Sequence, residues 1–246
     1  MILKVLGTGS SGNCYLFKPE SGKSLIIDCG INFKEVKKAV DFKLESISAA
    51  LQTHSHGDHC KFSKDFIKYG IDVYMSEFDK KYLGLENNYR AKVLTSSETL
   101  KVDSFKVLPF DVKHDVPCLG FLIEHPECGR FCLITDTYYC KYKFKNLNNI
   151  IIEANYSKEI IDRRFGPESD MMFLRDRILK SHFSLANCKE MLAANDLTAV
   201  NNIVLIHLSD GNSNELQFKK EVHELTGKNV TVACNGIEIP FGKYPF

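Results

Sequence analysis

The sequence has almost no net charge. Its 32 Lys and Arg stand against 31 Asp and Glu, a balance of +1 with histidine neutral. No global field therefore draws the protein to a polyanion, and attraction to nucleic acid has to come from a local basic patch. Long apolar runs are also missing. The opening "MILKVLGTGSSGNCYLF" reaches Gly7 and Ser10 after a few residues, too soon for a signal-peptide core or for a spanning helix of about 20 apolar residues. A cytoplasmic protein without a membrane partner is the expectation. The nine cysteines, an odd number, form no C-x-x-C pair, which argues for free thiols in a reducing compartment. No low-complexity tract, fixed-period repeat or Pro/Gly-rich linker divides the chain, so one domain spanning 1–246 is expected. With 44% hydrophobic and 26% charged residues, neither a disordered nor a fibrous class is indicated.

What is present is a set of short apolar runs between glycine- and serine-containing turns. Ile2–Leu6, Tyr15–Phe17, Ser24–Asp28 and Ile47–Gln52 read as strands of a mainly antiparallel sheet. "NFKEVKKAVDF", with Phe33, Val36, Ala39 and Val40 on one face behind Asn32, is a capped amphipathic helix. Later runs, "FKVLPFDV", "GFLIEH" and "RFCLITD", give further strands. From "NLNNIIIEANY" onward strands alternate with the helical segments "LRDRILKS", "LANCKEMLAAND" and "NELQFKKEVHELTG". The loop from Ser157 to Glu168 has no clear pattern. Together these predict an α/β protein of four layers, two packed sheets with helices outside.

One stretch carries chemistry. "LQTHSHGDHC" places His54, His56, Asp58 and His59, including three of the eight histidines, within six residues. Imidazole and carboxylate ligands hold divalent metals near 2 Å, and a catalytic site keeps a position open for water. His54 and His56, one residue apart in an extended loop, point to one side, while Asp58 and His59 turn toward a neighbouring point as a helix begins. Further ligands should come from strand ends, where His114, Asp136 and His207 stand. The expected division is His54, His56 and His114 on one metal, and Asp58, His59 and His207 on the other, with Asp136 between them.

"THSHGDH", preceded by "SLIIDCG" and followed by single His, Asp and His at later strand ends, resembles the metallo-β-lactamase superfamily over nearly the whole chain. The resemblance implies an αββα sandwich with two divalent ions, zinc or manganese, between its sheets. "LGTGSSGNCYLF", "EANY" and "SHFSLANCKEML…IVLIHLSDGNSNE" look like the YycJ/WalJ branch, linked to DNA 5′-exonuclease activity. The tail is also similar to ribonuclease Z, where a histidine upstream of the last ligand pairs with an acidic residue and protonates the leaving oxygen. By position these are His182 and Glu153, so the catalytic set is Asp58, His182 and Glu153. The resemblance makes Asp28 the carboxylate that holds a ligand imidazole in one tautomer; a plain turn aspartate is the alternative. The branch's His-Asp pair after "EAN" is replaced here by Tyr156 and Ser157.

Other residues have two readings each. Gly7, Ser10, Ser11 and Asn13 either offer backbone N–H groups to a phosphate or form a glycine-rich turn. His182 either donates a proton or caps a helix, with Ser184 the alternative cap. Tyr138, Tyr139 and Tyr156 either stack on bases or, by preference, join the core. His125 and His223 are expected at the surface, and Cys60 is expected to pack.

The expected activity is phosphodiester hydrolysis by a dinuclear centre, with His182 as general acid and DNA as the first candidate substrate. The alternative is a phosphodiesterase that degrades a cyclic signalling nucleotide, as superfamily relatives in phages do. A noncatalytic metal-binding module is a third reading. The oligomeric state is open, and a homodimer is suggested by analogy only.

Overall fold

The computed structural model describes residues 1–165 and 172–244. One sheet contains β1 (Ile2–Gly7), β2 (Cys14–Lys18), β3 (Ser24–Ile27), β4 (Ile47–Leu51), β5 (Val73–Met75), β6 (Ala91–Val93) and β14 (Glu238–Pro240). The other contains β7 (Leu100–Val102), β8 (Phe105–Val112), β9 (Cys118–His125), β10 (Gly129–Ile134), β11 (Asn149–Glu153), β12 (Asn202–Ile206) and β13 (Asn229–Val232). The strand orders are β14-β1-β2-β3-β4-β5-β6 and β13-β12-β11-β10-β9-β8-β7. Helices α1 (Phe33–Ala39), α2 (Gly57–Cys60), α3 (Ser63–Lys68) and α4 (Glu77–Tyr82) accompany the first sheet in sequence. Helices α5 (Lys158–Arg164), α6 (Met172–Ser181), α7 (Leu185–Ala193) and α8 (Glu215–Thr226) accompany the second.

The first sheet departs from the expected antiparallel arrangement. Strands β14, β1, β2 and β3 pair antiparallel, but β3–β4, β4–β5 and β5–β6 are parallel. The reason lies in the connections: helices stand between these strands, and a helical crossover returns the chain in the same direction. The second sheet repeats the scheme, antiparallel from β7 to β10 and parallel from β10 to β13.

Alternation along the strands builds the four layers. Val5, Phe17, Ile27 and Leu51 of one sheet meet Val107, Phe121, Leu133 and Ile151 of the other in a shared core. Their strand neighbours face outward: Leu16, Ile26 and Val73 against Phe33, Val36 and Phe66, and Ile150, Ile152 and Leu205 against Leu185, Met191, Phe218 and Val222. The fold is the αββα sandwich expected from the sequence. Asn32 caps α1 through its Oδ1 to Lys34 N (3.0 Å), and the helix stops at Ala39, before the left-handed Asp41 and Phe42. Within the patternless Ser157–Glu168 loop, α5 forms behind its N-cap Ser157, and positions 166–168 lie outside the described residues.

Gly30 locks the glycine-rich N-terminal turn to the histidine loop. Asn13 N donates to Asp58 O at 2.7 Å and Gly30 N to Asn13 O at 2.9 Å, while a Cβ on Gly30 would lie 1.7 Å from Asp58 O. Gly30→Ala is expected to cost about 1–3 kcal/mol by overpacking, read as a lower urea midpoint at unchanged slope.

Asp79, at the start of α4, is wholly buried, and among the described residues neither carboxylate oxygen is hydrogen-bonded. Burial pushes its pKa up to about 6. Between pH 4 and 6 the folded chain keeps a proton that the unfolded chain releases, so stability falls as pH rises through this window and stays lower above it. Asp79→Asn should raise the melting temperature by a few degrees at pH 7.5, a gain of about 1–3 kcal/mol, and the gain should vanish below pH 4. Among the described residues no helix is long and apolar enough to cross a membrane.

Candidate metal centre

Strand ends aim the chemistry into one cleft. Asp28, Asp136 and His207 follow the last residues of β3, β10 and β12 and take φ of 66°, 50° and 54°, a left-handed conformation unfavourable for residues with a Cβ. Such strain persists where surrounding contacts fix it and turns a side chain off the strand's normal alternation. The chain after β4 supplies His54 and, in extended backbone, His56, and α2 supplies Asp58 and His59. His114 follows β8.

All seven predicted ligands are brought together. Ligand atoms of His54, His56 and His114 lie within 4.8 Å of one another, as do those of Asp58, His59 and His207 and those of His54, His59 and Asp136. Asp136 lies between the groups, with Oδ2 3.1 Å from His59 Nε2 and Oδ1 3.8 Å from His207 Nε2. Asp58 Oδ2 is 3.2 Å from His207 Nε2 and 3.4 Å from His59 Nε2.

The donors fit a divalent cation. His54 Nε2 is buried and has no hydrogen-bond partner among the described residues, a costly state for an imidazole nitrogen unless it serves as a ligand. His59 Nδ1 donates to Asp28 Oδ2 at 2.7 Å and His114 Nδ1 to Ser181 O at 2.9 Å, which leaves both Nε2 lone pairs for coordination. His114 Nε2 and His56 Nδ1 then stand 3.1 Å apart, close enough to share either a proton or a cation. Burial pushes His114 down to about 4 and His54 well below its ordinary value, the latter with help from neighbouring imidazoles. For His207, burial acts downward but the Asp136 and Asp58 carboxylates outweigh it and lift the group to about 9. A cation would displace protons from such a set.

Asp28 does more for the site than a turn residue. Besides His59, its Oδ1 accepts Thr53 N (2.8 Å) and Thr53 Oγ1 (2.9 Å), and the same hydroxyl lies 3.0 Å from His54 Nδ1. One carboxylate thus orients a ligand on each side of the centre. Asp28→Asn is expected to weaken metal binding about 10–100-fold, measured by competition with a chelating dye.

His182 lines the same cleft as Asp58, His114 and His207. Its Nδ1 is 2.7 Å from Glu153 Oε1 and 3.4 Å from Asp136 Oδ1. Glu153, at the end of β11 and wholly buried, is itself fixed through Oε2 by Phe183 N (3.1 Å) and Thr137 N (3.3 Å). Burial lowers the pKa of His182, but the Glu153 carboxylate outweighs that and raises it. The helix cap is Ser184, whose hydroxyl accepts Asn187 N at 3.0 Å, so the His182 imidazole is not spent on capping.

Several other readings change. Asn13 Oδ1 accepts Gly9 N at 2.9 Å, a turn role, and its amide nitrogen also lies 3.0 Å from His59 Nε2, while Ser10 lines the cleft and Ser11 lines a separate surface cavity. Gly7 leaves room for Gly12 O, 2.4 Å from where a Cβ would sit. His125, expected at the surface, is buried against Phe105 with its Nε2 2.9 Å from Ser104 Oγ; His223 is exposed. Tyr138 and Tyr139 are exposed rather than in the core, whereas Tyr156 is buried. Cys60 is buried, with its thiol donating to Ser55 O at 3.1 Å.

Some site residues were not singled out from sequence. The Asn155 amide lies 3.1 Å from His207 Nδ1 and 2.8 Å from its carbonyl oxygen. Asp115 Oδ1 is 3.0 Å from His114 Nε2 and 3.3 Å from His56 Nε2. Cys118 Sγ is 3.6 Å from His54 Nδ1. Asn155 falls in the "EANY" stretch and Asp115 beside a predicted ligand; Cys118 carried no local signal.

Comparison with known proteins agrees with this geometry. Residues 7–86 match the profile of the metallo-beta-lactamase superfamily. The chain is 28% identical over 229 residues to exodeoxyribonuclease YycJ of Bacillus anthracis, covering 86% of this chain and 84% of the relative. It is 28% identical over 133 residues to ribonuclease Z of Lachnoclostridium phytofermentans, covering 45% and 42%. The crystal structure of the metallo-beta-lactamase fold protein YhfI from Bacillus subtilis superposes with a TM-score of 0.71 at 16% identity, covering 97% of this chain and 98% of that one. With its two seven-stranded sheets and its His/Asp cluster, the chain therefore has the metallo-β-lactamase fold and is similar to YycJ and to ribonuclease Z.

Proposed function

We propose that this protein is a dinuclear-metal-dependent phosphodiesterase and, within that class, a nuclease that acts on DNA as an exonuclease. The observation that carries the reading is the His182–Glu153 pair, 2.7 Å apart, in the same cleft as the metal-binding cluster. His54, His56 and His114 would hold one ion and Asp58, His59 and His207 the other, with Asp136 between. When bound, such ions polarise a phosphoryl oxygen as Lewis acids and bring the pKa of water to about 7.

The chain's own part begins with the leaving group. An alkoxide expelled from phosphorus needs a proton, and Glu153, by raising the pKa of His182 against the effect of burial, favours the charged imidazole that can supply it. Glu153 fixes the ring through Nδ1, leaving Nε2 to donate, and the two backbone N–H groups on Oε2 prevent the carboxylate from rotating away. Hydrolysis of an ester with a stable leaving group would not need this pair, which is why phosphodiesters are favoured. Similarity along most of the chain to an exodeoxyribonuclease supports DNA as the polymer. Nitrogen and oxygen donors suit both zinc and manganese. The proposal includes nucleic acid as substrate and the cytoplasm as location, with a homodimer suggested by analogy alone.

A second reading, hydrolysis of a cyclic nucleotide, draws support from the cleft volume of about 480 Å³, within the range of small-molecule sites, and from the net charge of +1. The deciding experiment offers the zinc- or manganese-loaded enzyme end-labelled DNA, end-labelled RNA and cyclic nucleotides, beside a chelated control. Metal-dependent shortening of DNA from one end is the expected result. Linear mononucleotides from the cyclic substrates, with both polymers intact, would replace the first reading by the second.

A further inference from the structure

We propose that Arg164 and Arg177 form a subsite for a second phosphate group of the substrate, beside the phosphodiester that is cut; the inference rests on the phosphodiesterase reading. Arg164 closes α5 and Arg177 lies within α6, and both line the cleft that holds Asp58, His182 and His207. In a chain of net charge +1, two guanidinium groups at the rim of the catalytic cleft concentrate positive charge where the global field supplies none.

The position of Arg164 is built from the ligand side of the cleft. Asn155, which holds His207, accepts Ser209 N through its carbonyl at 3.0 Å. Ser209 Oγ accepts Asn212 Nδ2 at 3.0 Å, and Asn212 Oδ1 accepts Arg164 Nη1 at 3.0 Å. A hydrogen-bonded chain thus ties the guanidinium to a metal ligand, so its distance from the cluster is set by the fold rather than left to a flexible side chain. Gly211 completes the cradle: a Cβ there would lie 2.0 Å from Arg164 Nη1 and 2.7 Å from its Cζ. Any side chain at 211 would push the guanidinium from the place that Asn212 gives it.

A planar guanidinium offers paired N–H donors that match two phosphate oxygens, a fit an ammonium group does not reproduce. The phosphate being cut is served by the metal cluster and His182. Arginines standing beside that cluster are therefore suited to the next anionic group along the substrate. A cyclic mononucleotide has one phosphate and offers them nothing, whereas a nucleic-acid end or a phosphorylated dinucleotide does. The inference favours an oligonucleotide over a cyclic mononucleotide, and it leaves the 5′ or 3′ source of the second phosphate to the test.

The test uses metal-loaded full-length protein and dinucleotides with a non-hydrolysable methylenephosphonate linkage, bearing a 5′-phosphate, a 3′-phosphate or neither, with binding read by calorimetry. One phosphorylated form should bind about 10-fold or more tightly than the unphosphorylated one, and which form does so identifies the source. Arg164→Gln and Arg177→Gln should each bring the two affinities within about 3-fold, and Gly211→Ala, which keeps both charges but displaces Arg164, should lower the preference as well. Melting temperatures near wild type show that each variant folds. Equal affinity for all three dinucleotides in wild type, or an undiminished preference in both arginine variants, overturns the subsite. If wild type nonetheless cleaves the natural dinucleotide, the phosphodiesterase reading survives that outcome. Absence of metal-dependent cleavage of DNA, RNA and cyclic nucleotides alike overturns that reading, and the subsite with it.

Discussion

Replacing His182 with alanine is expected to slow hydrolysis of an ordinary DNA phosphodiester by about 10²–10⁴-fold, while metal content and turnover of a bis-nitrophenyl phosphate stay within a few-fold of wild type. The asymmetry follows from the leaving groups. A nitrophenolate departs without a proton and does not use the imidazole, whereas a sugar alkoxide does. Equal loss on both substrates would show that His182 holds the structure of the site and does not act as an acid. The pH profile is a second readout. Glu153 raises the pKa of His182 against the opposing effect of burial, so the rate on DNA should fall as pH climbs through that raised value and the ring loses its proton. In Glu153→Gln the imidazole keeps a hydrogen-bonding neighbour but loses the negative charge, and the fall in rate should move to lower pH.

Asp136→Asn should remove more of the metal than any substitution outside the ligand set, with affinity reduced by more than about 100-fold. Its carboxylate faces His59, His207 and His182 at 3.1, 3.8 and 3.4 Å, so one change affects every part of the centre. The surrounding positive groups hold Asp136 well below the usual carboxylate range although burial acts in the opposite direction. Losing the charge should accordingly let His59 and His207 release their protons more readily. Elemental analysis after dialysis against a weak chelator measures the first effect, and the histidine NMR titration measures the second. Full metal retention in Asp136→Asn would mean that the ion or ions sit within the two histidine groups alone.

The sequence was most legible where ligands are close neighbours. His54, His56, Asp58 and His59 fall within six residues, and chain geometry alone requires that they share one loop and helix start. Asp28, Asp136 and His207 were legible as strand ends, because polar residues terminate apolar runs there. Their left-handed backbone has no signature in residue type. The parallel half of the first sheet was misread because single-strand patterning reports which face is buried and is silent on the direction of the neighbouring strand. His125, expected at the surface, is turned inward onto Phe105 by the pleat of β9.

By itself, then, the amino-acid sequence determined the alternation that makes two sheets, the helix that Asn32 caps, and the identity of the imidazole and carboxylate donors. These depend on covalent spacing and on periodicity over a few residues. Tertiary structure alone decided that Asp136 stands between two histidine groups, that Asp28 holds His59 while Thr53 links it to His54, and that Asn155, Ser209 and Asn212 connect His207 to Arg164. Each of those contacts joins residues distant in the chain or turned by a strained backbone, and only the packing of the two sheets fixes their separations to within a hydrogen bond's length.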